Sequence, residues 1–337
     1  MLKLVGGLVL AGLLTHILSW YSTAGRRAHL QRRHFINDRG PVPGAELNNL
    51  FWAVQVTDLH VSKFLDPARV SEFEAFCNES LSVINPALVL ATGTRDWAEF
   101  EVKGSAFNKK IIRKAIFTGV IITRICFIEK TIFLVFRPNR DSFNIPDLRS
   151  MKNFYRKYSA WQKEGSFHYV HNTPFGNYSF ICVDATLTPG PKRPYNFFGI
   201  IDKNQMHTLS RLAMESLYSN QTVWFGHYPT STIVSASPGV RAVMSSAVAY
   251  MCGHLHTLGG IAPTLHSQHT QGTLELELGD WMKNRRYRIF AFDHNLFSFV
   301  DLVYNEWPAI LITNPKSALY TNPAQEPTRR ILHSTHI

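Results

Sequence analysis

Apolar and polar positions in the first hundred residues follow two different periods in turn, and together they predict a strand, a helix and a second strand. FWAVQVTDLH (51–60) reads as a buried strand ending in polar residues, and ALVLATG (87–93) as another. Between them, RVSEFEAFCNESLSVI (69–84) places Phe73, Phe76, Cys77, Leu81 and Ile84 on one helical face. Asn85-Pro86 stops that helix, because a residue before proline is pushed out of the helical region. Strand, helix, strand is a βαβ unit, whose parallel strands require a right-handed crossover.

Further strands are predicted at SFICVDAT (179–186), TVWFGHYP (222–229) and VAYMCGHLH (248–256), with a helix between 203 and 218. From TLELEL (273–278) the leucines and glutamates alternate as on a half-exposed strand, and YRIFAFD (287–293), LFSFVDLV (296–303) and AILIT (309–313) continue the β run. The first part is α/β and the last mostly β, with no internal repeat. AIFTGVIITRICFIEKTIFLVF (115–136) fits this pattern poorly. Arg124, Glu129 and Lys130 interrupt it, which favours buried strands or a poorly specified insert over a second membrane helix.

Composition narrows the class. The chain has 337 residues, 45% of them hydrophobic and 18% charged, enough for a substantial core in one large domain or two ordinary ones. Its net charge of +11 is uneven, since residues 101–160 hold 13 Lys or Arg against 4 Asp or Glu. Such a stretch suits nucleic acid, anionic lipid or a phosphorylated substrate. No helix-turn-helix, zinc-finger or RNA-binding signature is present, so nucleic acid is not expected. Cys77, Cys126, Cys182 and Cys252 form no C-x-x-C pair; Cys182 and Cys252 lie in apolar runs and read as buried free thiols.

From Leu4 to Tyr21 there is no formal charge, with Arg26, Arg27, Arg32 and Arg33 following. Residues 1–24 therefore read as a membrane anchor or a cleaved signal, the length favouring a membrane helix, and 25–48 as a polar linker. The arginines point the body to the cytoplasm. Three sequons, Asn78-Glu79-Ser80, Asn177-Tyr178-Ser179 and Asn220-Gln221-Thr222, point instead to a secretory lumen, and the luminal or extracellular side is the reading taken.

The chemistry gathers at strand ends. TDLH carries Asp58 and His60 with i, i+2 spacing, FGHYP carries His227, and CGHLH carries His254 and His256. Side chains two apart on a strand share a face, and α/β sheets bind ligands at the carboxyl ends of their strands. These groups are accordingly expected at one edge of one sheet. A single strand-end histidine is ordinary packing, but D-x-H, G-H and G-H-x-H in this order suit zinc, iron or manganese.

With these motifs the chain resembles the calcineurin-like metallophosphoesterases and, among them, is similar to the transmembrane protein 62 family. The likeness runs over 51–93 and from 139 onward, through DSFNIP, KYSAW, SFHYVHNTPFGNYSFICVDAT, GPKRPYNFFG, WFGHYPTST, CGHLHTLGG and TLELELGDW…NRRYRIFAFDH. The resemblance implies an α/β sandwich of two central β-sheets flanked by helices over 49–303, with a further β domain beginning at 304–337. It makes Asp58, His60 and His256 ligands of one metal, and Asn139, His227 and His254 ligands of the other. It implies phosphoester hydrolysis by a membrane-anchored protein.

Two positions depart from the family pattern. The family's G-D pair, whose carboxylate bridges both metals, reads Gly93-Thr94, and its G-N-H-D motif reads Pro138-Asn139-Arg140-Asp141. Gly279-Asp280 is no substitute for the missing carboxylate, since it follows the last histidine motif. Two dications 3.5 to 4 Å apart repel by about 19 kcal/mol at an effective dielectric of 20, and threonine offers no charge to offset it. One bound divalent metal rather than two is therefore expected, with Arg140 left to bind phosphate and catalysis impaired. A membrane-tethered binding or scaffold module is the alternative function.

Overall fold

The computed structural model describes residues 49–60, 66, 68–93, 131–135, 165–187, 190 and 195–328. The expected anchor (1–24), linker (25–48), Thr94, Asn139, Arg140 and most of 115–136 lie outside the described residues, among which no helix is long and apolar enough to cross a membrane.

Two β-sheets form the centre. The first has the order β13-β12-β1-β2-β3, from β1 (Leu50–Val56), β2 (Leu88–Ala91), β3 (Ile132–Val135), β12 (Arg286–Asp293) and β13 (Leu296–Val303). The second has the order β10-β11-β9-β7-β5-β4, from β4 (Phe167–Thr173), β5 (Gly176–Val183), β7 (Gln221–Gly226), β9 (Ala249–Cys252), β10 (Leu265–Gln268) and β11 (Leu274–Glu277). A short parallel pair, β6 (Gly199–Ile201) and β8 (Ile233–Ser235), stands beside them. β1 and β2 pair in parallel, so the expected βαβ unit is present, and the tail of the poorly fitting stretch supplies β3.

Alternation along the strands builds the layers. In β1, Phe51 and Ala53 face one way and join Leu90, Phe180, Phe225, Met251, Leu276 and Phe290 in the core between the sheets. Val54 and Val56 face the other way, onto a helix over Ala68–Ala75 (α1) that contributes Phe73 and runs on through a π-helical turn bearing Phe76, Cys77 and Leu81. Asn85 ends this segment in the left-handed region (φ 46°), as the Asn-Pro signal implied. On the outer face of the second sheet, Ile181, Trp224 and Tyr250 meet Met206, Leu209 and Leu212 of α2 (Lys203–Ser216). Asp202 starts α2 with a capping box, its carboxylate accepting from the Gln205 amide at 2.8 Å. The result is helix, sheet, sheet, helix.

Two expectations need correcting. Glu275 and Glu277 of β11 are each only 5% exposed, so this strand is buried on both faces rather than half-exposed. One antiparallel neighbour, β10, and one parallel neighbour, β9, flank it, and polar partners reach both carboxylates: the Thr230 amide and His269 for Glu275, and the Leu255 amide for Glu277. AILIT (309–313) forms no strand. Ala309 and Leu311 pack on the helix side of the first sheet while Ile310 and Ile312 stay exposed, an alternation that mimics a strand without a ladder partner.

Candidate metal centre

β1 ends at Val56, and the next four residues carry Asp58 and His60 across the top of the first sheet. β7 ends at Gly226 just before His227, and β9 ends at Cys252 just before Gly253 and His254. The site therefore lies at the carboxyl ends of strands from both sheets, not along one edge of one sheet. Packing of the two apolar faces brings His60 and His256, 196 positions apart, to 3.3 Å between their Nε2 atoms.

Backbone conformation points the ligands. Asp58, His60, His254 and His256 all take positive φ, at 48°, 42°, 87° and 52°. Left-handed backbone at non-glycine residues costs of order 1–3 kcal/mol each and clusters where function demands it. It also undoes the expected strand rule: His254 and His256 lie beyond β9 and diverge to different partners. Gly253 is required by space, since a Cβ there would overlap Thr57 Oγ1 and come within 2.5 Å of Asp58 Oδ2.

Three atoms converge. Asp58 Oδ1 lies 3.3 Å from His60 Nε2 and 3.1 Å from His256 Nε2, closing a triangle with the 3.3 Å contact between the two rings. A tetrahedral zinc with ligands at 2.0–2.1 Å has ligand separations of about 3.3–3.4 Å. The triangle fits one face of such a polyhedron, and these three residues can hold a metal ion. The second oxygen of Asp58 accepts from the His254 amide at 2.8 Å and Thr57 Oγ1 at 3.0 Å, fixing the carboxylate's plane.

A histidine pair lies alongside. His227 Nε2 and His254 Nδ1 are 3.1 Å apart, while His227 Nδ1 contacts the Thr92 carbonyl (3.1 Å) and His254 Nε2 the Phe197 carbonyl (2.9 Å). A carbonyl only accepts, so each outer nitrogen carries the proton and each inner one presents a lone pair. Burial pushes the His227 pKa down to about 4; burial and the neighbouring His227 push that of His254 to about 3. Both rings are thus neutral, as metal ligation requires. Burial opposes the charge of Asp58, but the neighbouring His227 and His256, with hydrogen bonds from His256 and His60, outweigh it and hold its carboxyl well below the usual range.

No protein-family model matches the chain. Transmembrane protein 62 of Mus musculus is 52% identical over 344 residues, covering 99% of this chain and 52% of that protein. The chain is similar to transmembrane protein 62 along nearly its whole length. An Arabidopsis thaliana protein whose name assigns it provisionally to the metallophosphoesterases is 29% identical over 330 residues, covering 79% of this chain and 42% of that one. The chain thus spans about half or less of the length of these relatives. Among solved structures, a dimetal phosphatase from Danio rerio aligns with a TM-score of 0.48 at 12% identity, covering 76% of this chain and 99% of that one. GAP50, described as the anchor in the inner membrane complex of Plasmodium, aligns with a TM-score of 0.48 at 9% identity, covering 84% and 93%.

Of the six ligands implied by the family pattern, the structure brings Asp58, His60 and His256 into one group and His227 and His254 into a second. Asn139, the remaining one, lies outside the described residues with Arg140 and Thr94. Gly93 is described, wedged so that an added Cβ would sit 2.7 Å from the Asp58 amide nitrogen and 3.1 Å from His227 Nδ1. Sequence reasoning missed the carbonyls of Thr92 and Phe197, which carry no side-chain signal. It also set Asp280 aside, although its Oδ1 lies 4.0 Å from His256 Nδ1. The buried N-cap aspartate in GDW was the available clue.

Proposed function

We propose that this chain is the metallophosphoesterase-like part of a membrane-anchored protein, holding one divalent transition metal through Asp58, His60 and His256. The observation that carries it is the triangle of Asp58 Oδ1, His60 Nε2 and His256 Nε2, with sides of 3.1 to 3.3 Å. A bound zinc, iron or manganese ion supplies Lewis acidity to a phosphoryl oxygen and lowers the pKa of a water. The protein's own part is to orient: Asp58 is locked by the His254 amide and Thr57 hydroxyl, and the His227 and His254 rings are held in one tautomer by backbone carbonyls. Arg140, in the position of the family's proton-donating histidine, binds phosphate but does not give up a proton near neutral pH.

Anchoring through residues 4–21 and a luminal or extracellular body belong to the same reading. It is supported by the name of the mouse relative, by the three sequons, and by Cys77 being disulfide-bonded, which suits an oxidising compartment.

The second reading is a catalytically impaired relative that keeps the fold as a membrane-tethered binding module, favoured by Thr94 and Arg140. Metal analysis and turnover of a generic aryl phosphate separate the two, run on the parent chain beside Thr94→Asp with Arg140→His. One metal and very weak hydrolysis are expected for the parent, with a second metal and activity gained on reversion. A parent that already carries two metals and turns over briskly overturns the impaired reading, and one that binds none overturns the first.

A further inference from the structure

The G-D-W stretch (279–281) follows the last histidine motif by more than twenty residues and has no part in the ligand set, yet it faces His256 and opens the turn that holds the Asp58 loop. Asp280 is 1% exposed. Its Oδ2 accepts from the Lys283 amide and its Oδ1 from Asn284 Nδ2, both at 2.6 Å, so the carboxylate caps the short turn Trp281–Asn284 and cannot rotate. Its Oδ1 then faces His256 Nδ1 at 4.0 Å. The opposite nitrogen of that ring, Nε2, is the one in the triangle, so with a metal on Nε2 the Nδ1–H faces the Asp280 carboxylate, within charge attraction though beyond direct hydrogen-bond distance.

The turn that Asp280 caps holds the Asp58 loop directly and reaches His60 through Arg69. The Trp281 amide donates to the Thr57 carbonyl at 3.0 Å, and the Met282 amide donates to the Asp58 carbonyl at 3.1 Å. The Trp281 indole, wedged between Phe73 and Phe76 with ring centroids at 5.2 and 5.1 Å, donates from Nε1 to the Arg69 carbonyl at 3.4 Å. Arg69 in turn donates from Nη1 to the His60 carbonyl. Gly279 makes the approach possible, because a Cβ there would lie 2.6 Å from Arg286 Cδ and 3.3 Å from Thr257 Cγ2. Each residue of the motif has its own steric or polar reason, and all three act on the same side of the site.

We propose that Asp280 is the positioning carboxylate of the metal centre, orienting His256 through Nδ1 and holding the Asp58 loop through the turn it caps. This rests on the metal-binding reading of Asp58, His60 and His256. A carboxylate facing the outer nitrogen of a ligand histidine favours the tautomer with its proton on that side and makes the ring more basic, and loss of such a partner, where it closes to a hydrogen bond on metal binding, costs about 10- to 100-fold in metal affinity. Asp280 also adds a second negative charge beside a site whose own triad supplies one.

A turn-capping role alone would explain the two 2.6 Å bonds, and Asp280→Asn separates capping from positioning: its oxygen still accepts from the Lys283 amide, and its amide donates to Asn284 once that side chain turns over. The full chain, its Asp280→Asn and its Asp280→Ala variants are titrated with Zn²⁺ against a competing chelator, alongside urea unfolding without metal and the visible spectrum of the Co²⁺ form. Asp280→Asn is expected to keep the metal-free unfolding midpoint of the parent, lose about 10- to 100-fold in Zn²⁺ affinity, and shift the Co²⁺ bands. Asp280→Ala is expected to lose both affinity and stability. Parental Zn²⁺ affinity and Co²⁺ spectrum in Asp280→Asn would overturn the proposal while leaving the metal site standing. Loss of affinity only in step with metal-free stability would reduce Asp280 to a cap. A parent chain that takes up no Zn²⁺ overturns the metal site and the proposal with it.

Discussion

His227 Nε2 and His254 Nδ1 face each other at 3.1 Å with no proton available to either, because each ring spends its N–H on a backbone carbonyl. Two lone pairs directed at one another are stabilised by a cation, so this pair is poised for a metal. It has only two ligands among the described residues, against three in the Asp58 group. The parent chain is expected to bind one zinc per molecule, retained in His227→Ala and lost in His256→Ala. Elemental analysis after gel filtration reads this directly, and a stoichiometry untouched by His256→Ala would put the tight site elsewhere.

Gly253 is where the two halves of the site come closest. An added methyl group would overlap Thr57 Oγ1 and press on Asp58 Oδ2 from 2.5 Å, and neither atom sits at the end of a long flexible chain. Gly253→Ala is expected to cost about 1–3 kcal/mol of stability through overpacking. It should also weaken zinc binding, since Asp58 must give way. Chemical unfolding and a zinc titration of the same preparation test both parts; a variant with parental stability and affinity would show that the loop accommodates a side chain.

Glu277 lies beneath the site with its Oε1 accepting from the Leu255 amide at 2.8 Å. Burial, with Asp58 and Glu275 nearby, pushes its pKa up to about 9. The folded pKa exceeds the unfolded one, so the folded state binds the extra proton at neutral pH. Its contribution is fully present below the unfolded value of 4.5 and is lost as pH rises toward about 9. Metal-free protein should therefore lose stability from this group by up to about 1.4 kcal/mol per pH unit across that window. Glu277→Gln, which needs no proton to stay neutral, is expected to flatten the difference between urea midpoints at pH 5 and pH 8. An unchanged slope in the variant would assign the pH dependence to other groups.

The three sequons do not present equal targets. Asn78 and Asn177 are exposed, whereas the Asn220 side chain accepts from the Asn177 amide at 3.0 Å and closes over Gly176. If the body is luminal, glycosidase-sensitive mass is expected at Asn78 or Asn177 and not at Asn220. Mass spectrometry of chain expressed through a secretory pathway reads the occupancy, and unmodified protein would restore the cytoplasmic side that the arginines after residue 25 favour.

Period and punctuation determined a good deal of this protein. Short apolar runs at 51–56 and 88–91, with a helical stripe of Phe73, Phe76, Cys77 and Leu81 between them, specified the βαβ unit, because a short continuous apolar run suits a buried strand and a stripe at helical spacing a helix. Aspartate, histidine and glycine immediately after apolar runs marked the strand ends where ligands collect. Other features were decided only in three dimensions. Packing of two apolar sheet faces, which no local pattern encodes, brings His60 from the first sheet against His256 from the second. Left-handed backbone at His254 and His256 sends two side chains, read as neighbours on a strand, to separate groups. The burial of Glu275 and Glu277 depends on partners as distant as Thr230 and Leu255, so an alternating pattern could not distinguish a solvated face from a satisfied buried one. Asp280 acts on Asp58 across more than two hundred residues through backbone amides, which every residue except proline possesses and which therefore leave no trace in the sequence.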